Sequence, residues 1–176
     1  GETYAEAVRI KPDMHEAFYN WGGLLLSQAR RHTGEAAEAL YREAGEKYAE
    51  AVRIKPDKHE AFYAWGYALA AWAQATTGEA ADTLYREAGE KYAEAVRIKP
   101  DKHEAFYNWG SMLDDRARAT TGEAAEALYR EAGEKYAEAV RIKPDMHEAF
   151  YAWGYALAAW ALATTGEAAE ALYREA

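Results

Sequence analysis

The sequence contains no cysteine, which removes disulfides, thiolate metal sites and cysteine nucleophiles together. It is also short of positive charge. Against 30 Asp and Glu stand 21 Lys and Arg, a formal net charge of -9, with the two signs interspersed rather than blocked. Such a surface repels phosphate backbones, so no nucleic-acid partner is expected. Long hydrophobic runs are missing too. The longest apolar run, Ala149 to Ala163, is rich in Ala and falls short of the roughly 20 residues that cross a bilayer, so no membrane partner is expected. The chain opens GETYAEA, without a signal-like basic segment. A soluble protein, cytoplasmic or recombinant, is the expectation.

Proline is scarce and its placing is informative. The four prolines all belong to the phrase KPD, which begins at Lys11, Lys55, Lys99 and Lys143, 44 residues apart each time. A fixed period of this size marks a repeat architecture and overrides the length prior for a compact domain. Residues 1–176 therefore read as one all-α solenoid of four copies, 1–44, 45–88, 89–132 and 133–176. Its core is expected as a strip between neighbouring copies.

Within the second copy, Asp57 with Glu60 three residues on reads as a capping box opening a helix after Lys55-Pro56. Phe62, Trp65, Gly66, Leu69 and Ala73 then fall on one helical stripe, to an end near Ala75. Thr76-Thr77-Gly78-Glu79 supplies a stop and a new N-cap. The second helix carries Ala80, Leu84, Ala88, Tyr92, Ala95 and Val96 on one face until Pro100. The Gly recurring at 45, 89 and 133 lies inside that helix, where it costs about 1 kcal/mol relative to Ala; close helix approach is its expected use.

These residues resemble a known family. Phe62-x2-Trp65-Gly66-x2-Leu69, then Ala88-x3-Tyr92, then Pro100 follow the tetratricopeptide signature in order and spacing. The set recurs as Phe18, Trp21, Gly22, Leu25, Ala44, Tyr48 and Pro56, and as Phe106, Trp109, Gly110, Leu113, Ala132, Tyr136 and Pro144. Ordinary repeats of that family have ~34 residues. The extra ten lie between Leu69 and Ala88 and read as longer helices, as in some bacterial tandem arrays. The resemblance implies a right-handed superhelix whose concave face, lined by the first helices, binds peptides or protein segments.

Copies two and four differ only at Lys58/Met146, Gln74/Leu162, Asp82/Glu170 and Thr83/Ala171. Most variation among the four lies on the first helices. One variable stripe pairs Leu24 with Gln28 and Met112 with Arg116 in copies one and three, but Ala68 with Trp72 and Ala156 with Trp160 in the others. A large Trp over a small Ala reads as a volume swap, so Trp72 and Trp160 are expected to pack. The other stripe maps to the family's concave face and holds the candidate partner-binding residues. They are Tyr19, Asn20, Tyr63, Tyr67, Tyr107, Asn108, Asp114, Tyr151 and Tyr155. Tyr offers large amphipathic area at low entropic cost, and Asn suits backbone hydrogen bonds. Packing of these tyrosines against another copy is the competing reading.

No catalytic constellation is apparent. His15, His59, His103 and His147 hold equivalent places, and HEAFY lacks the second His of HExxH. One active site needs one asymmetric set, which a residue repeated in every copy does not supply. Asp114 and Asp115 point about 100° apart on a helix and read as solvated charges, and His32 as a solvated turn residue. No enzyme, metal or cofactor is expected. Gly1 aligns with Gly45, so the terminal pieces together make one second helix; head-to-tail self-association of the array is the alternative to a scaffold for other proteins. The near-identity of the copies suggests recent duplication or design.

Overall fold

The computed structural model describes the backbone of residues 2–11 and 13–175 and the side chains of 3–6, 9–11 and 13–161. Every regular element among them is an α-helix: α1 (Glu2–Ile10), α2 (His15–Ala29), α3 (Gly34–Ile54), α4 (His59–Gln74), α5 (Gly78–Ile98), α6 (His103–Arg118), α7 (Gly122–Ile142) and α8 (His147–Glu175). The chain divides into two compact units, Gly1–Pro100 and Asp101–Ala176. In the first, α2 packs on α3, α3 on α4 and α4 on α5, with α1 against α2; in the second, α7 packs on both α6 and α8.

The pairing follows from one recurrent contact. Tyr48, Tyr92 and Tyr136 are the largest fully buried side chains, each 1% exposed, and each lies on the glycine of the partner first helix. A Cβ on Gly22 or Gly110 would meet that ring at 2.9 Å, and one on Gly66 would meet Tyr92 at 3.2 Å. Only glycine lets the helices come this close. Burying one such ring stabilises by roughly 2–3 kcal/mol. Tyr19, Tyr63 and Tyr107 tilt against the same rings, with centroids 6.1, 6.2 and 5.9 Å apart. Lys47, Lys91 and Lys135 place their ammonium groups 4.4, 4.5 and 4.1 Å over Trp21, Trp65 and Trp109.

Gly133 does serve close approach, since a Cβ there would stand 3.2 Å from Nε1 of Trp153, whereas on Gly45 it would make ordinary contact at 3.4 Å with Nε1 of Trp65. The helices run through them unbroken. Trp65 thus sits between Lys91 of α5 and Gly45 of α3, wedging its first helix between two second helices.

Four local expectations need correction. The capping box at Asp57 does not form. Lys55-Pro56-Asp57-Lys58 closes a turn through the Lys58 N–H to the Lys55 carbonyl, which moves the N-cap to Lys58, with no side-chain cap. The buried stripe of the second helix holds Leu84, Tyr85, Ala88, Tyr92 and Ala95, while Ala80 is exposed. The alternating four-and-three spacing of Ala37, Tyr41, Ala44, Tyr48 and Ala51 stays on one helical face where a strict four-residue step drifts off it. The threonines cap by place only: Thr77 is the N-cap without a side-chain bond, and the Thr76 hydroxyl instead donates to the Trp72 carbonyl at 2.9 Å. Finally, Gly34, Gly78 and Gly122 take φ of 61°, 68° and 64° to turn the chain, but α8 runs straight through Thr164, Thr165 and Gly166. The local text permits both states, since its alanines favour helix; packing of a second helix on the first selects the turn.

Trp72 packs as expected. Its ring stacks on Tyr41 of α3, 6.3 Å between centroids and 7° from parallel, above the buried Ala68. Trp160 is half-buried.

Candidate functional site

The first helices α2, α4 and α6 each bury the side bearing Ala17, Gly22, Leu25 and Ala29, or its equivalents, against the second helix that follows. On α2 the opposite side is open: Asn20, Gly23, Ser27 and Arg30 are exposed. Gly23, Leu26, Ser27, Arg30 and Arg31 line a hollow of about 420 Å³. The Arg30 guanidinium reaches from its rim over the ring of Tyr67 on α4, 5.9 Å from the centroid.

At the other end of α2 lies a feature the sequence reading missed. Lys58, one of two buried polar residues among those described, bridges to Glu16 with Nζ 2.6 Å from Oε1 and lies 4.9 Å over the Tyr19 ring. The hydrogen bond from Lys58 holds the Glu16 carboxyl below its ordinary value. The available signal was the change from Met14 and Met146 in the outer copies to Lys58 and Lys102 in the inner ones at one repeat position. An ammonium can be buried there only where a carboxylate and an aromatic face meet it.

The candidate residues separate by exposure. Tyr19 is half-buried beneath Lys58, and Asn20 beside it is exposed. Tyr63 and Tyr67 are half-buried: Tyr63 rests on Tyr92, and Tyr67 packs on the cluster of Leu25, Leu26, Tyr41 and Tyr48. They do not form a free aromatic patch, because α5 covers one flank and α2 the other. Tyr107 and Asn108 are likewise half-buried, Tyr107 against Tyr136. Tyr151 and Tyr155 are 72% and 70% exposed. The same text is thus half-covered in α4 and bare in α8.

Asp114 corrects its expectation as a solvated charge. It is 7% exposed and stands where copy one has Leu26 and copy two Ala70. Its Oδ2 lies 2.7 Å from Arg118, while Oδ1 is buried without a hydrogen bond. Burial pushes its carboxyl above the ordinary value, against the pull of Arg118. Nearby, Tyr136 hydrogen-bonds Ser111, and burial raises its phenol. Asp115 is half-buried and His32 exposed. Among the described residues no group of three or more His, Asp or Glu is placed to hold a metal ion, and no helix is long and apolar enough to cross a membrane.

Comparison with known proteins adds the following. A family model described as plant specific mitochondrial import receptor subunit TOM20 matches residues 2–104. A search of curated proteins finds no match. Among solved structures, two crystal structures of MamA are similar at 18% identity. One has a TM-score of 0.65 over 88% of this chain and 68% of that one; the other has 0.64 over 97% and 88%. The Arabidopsis OM64 TPR domain is similar with a TM-score of 0.52 and 13% identity over 79% of this chain and 96% of that one. At these identities the likeness is one of fold, and the fold is the tetratricopeptide class of helical repeats.

Proposed function

The chain belongs to the family of the plant specific mitochondrial import receptor subunit TOM20, and from that premise we propose that it is a receptor-type scaffold that binds a peptide or protein segment along its first helices. The observation that carries the reading is the open side of α2. Of the α2 residues that vary among the copies, Asn20, Ser27 and Arg30 are exposed beside the hollow, while the invariant Ala17, Gly22 and Ala29 are buried. A protein that keeps its scaffold fixed and varies one solvent face has concentrated its specificity there. The family's description names an import receptor, so the clients are segments of proteins bound for a mitochondrion. A net charge of -9 steers segments carrying basic residues, and the binding weakens with salt.

A direct test titrates fluorescent peptides, one basic and amphipathic and one acidic of equal length, against the full chain. Asn20→Trp blocks the α2 face at an exposed position, and Arg86→Trp is the control on exposed α5. The basic peptide is expected to bind, with about tenfold lower affinity for Asn20→Trp, or ~1.4 kcal/mol. Equal affinities for both variants would move the site elsewhere.

A second reading, an array whose partner is another copy of itself, is favoured by one observation. Phe150, Tyr151, Tyr155 and Leu157 of α8 are exposed together.

A further inference from the structure

We propose that the bare face of α8 is the docking site for helix α1 of a second copy of this chain, with Tyr4 of one molecule seated on Gly154 of another. The inference rests on the self-association reading and gives it a site and an occupant.

The chain already contains this contact three times. Tyr48 lies on Gly22, Tyr92 on Gly66 and Tyr136 on Gly110, each ring meeting the tyrosine three residues before the glycine as well. Gly154 is the fourth glycine of the series, and a Cβ built on it meets nothing within 4 Å. Around it His147, Phe150, Tyr151, Tyr155 and Ala158 line a hollow of about 570 Å³. In α4 the equivalent glycine, Gly66, lies beneath Tyr92 of α5, and Tyr63 rests on the same ring. The face is therefore shaped for a second-type helix that presents Tyr.

One such helix has the complementary vacancy. Residues 2–10 read ETYAEAVRI and residues 46–54 read EKYAEAVRI, the same text but for Thr3 in place of Lys47. Tyr4 holds the repeat position of Tyr48, yet Tyr4 is half-exposed where Tyr48 is 1% exposed. An unfilled glycine and an unburied tyrosine of matching text are the two halves of a fourth pair. Because the two halves differ, the contact is heterologous. Thr3 carries no ammonium to lie over Trp153 as Lys47 lies over Trp21, so this joint lacks a cation–π contact that the internal ones have. It is expected to be reversible, with an association that depends on concentration.

Sedimentation velocity over increasing concentration tests the proposal with the full chain, Tyr4→Ala and Gly154→Leu. Gly154 is uncovered and Tyr4 half-exposed, and unchanged helical circular dichroism verifies the fold. The unsubstituted chain is expected to grow heavier with concentration, and each variant alone to need about tenfold more protein to do so. An equimolar mixture of the two variants is expected to form a dimer and stop there. One contributes only an intact α8 face and the other only an intact α1. Association unchanged in both variants would overturn this site while leaving self-association standing. A chain that stays monomeric throughout would overturn both.

Discussion

Gly66 lies beneath the Tyr92 ring so closely that a Cβ would stand 3.2 Å from two ring carbons and 3.1 Å from the Ala88 carbonyl oxygen. Neither neighbour has room to retreat, since Tyr92 is 1% exposed and the carbonyl belongs to the backbone of α5. Replacing Gly by Ala inside a helix gains about 1 kcal/mol of propensity. Overpacking a filled site costs about 1–3 kcal/mol. Gly66→Ala is thus expected to destabilise by about 1 kcal/mol, while Gly154→Ala, with nothing to strike, stabilises by up to about 1 kcal/mol. Denaturant titrations at low protein concentration should give opposite signs for one substitution at one repeat position.

Lys58 and Glu16 yield a second pair of outcomes. Lys58→Met restores what copies one and four carry as Met14 and Met146, and exchanges an ion pair for apolar packing at a change within about 1 kcal/mol. Glu16→Gln leaves the buried ammonium facing Tyr19 alone and is expected to cost about 1 kcal/mol, well under the figure for a fully buried pair because Glu16 is mostly in solvent. The pH sign follows from the depressed Glu16 value: the stabilisation is present above the ordinary Glu range and is lost as pH falls through the lowered folded value. Melting curves of the parent and Glu16→Gln should therefore converge on acidification well below the ordinary Glu range.

Asp114 runs the opposite way. Its carboxyl is raised by burial, so the folded state binds the proton more tightly than the unfolded one and stability falls as pH rises through the folded value. Asp114→Leu, which restores the Leu26 of copy one, is expected to stabilise by about 1 kcal/mol at pH 7. The gain should shrink on acidification through the ordinary Asp range, below which the parent is protonated in both states. A gain independent of pH would point to packing alone.

Trp72→Ala separates packing from binding. Loss of a half-buried ring stacked on Tyr41 is expected to cost about 2 kcal/mol in thermal unfolding, less than the figure for a fully buried Trp. Peptide affinity measured below the melting transition should not change, because Trp72 lies off the open face of α2.

Much of the architecture was legible in the text. The prolines of KPD and the Thr-Gly turns at Gly34, Gly78 and Gly122 bounded the helices to within a few residues, because breakers act locally, although the same text did not break α8. Gly133 was legible as a close contact, whereas Gly22, Gly66 and Gly110 were legible only as members of the helical stripe. Tyr41, Tyr85 and Tyr129 were not read as core, since a tyrosine on a helix marks a buried ring or a binding surface equally well until the neighbour is known. The candidate site was legible as a stripe, but its division was not. Tyr63 and Tyr151 have identical local sequence, and only the second helix lying over one of them makes the difference.

The sequence by itself determined the period, the helical class, the breaks at the KPD prolines and the absence of thiol chemistry, all properties of composition and short-range spacing. Tertiary structure alone decided three things: that Lys58 is buried on Glu16, that Asp114 is buried beside Arg118, and that Gly154 stands open where Gly22, Gly66 and Gly110 are filled. Burial belongs to pairs of segments far apart in the chain, and a repeat that writes the same words four times gives each copy a different neighbour.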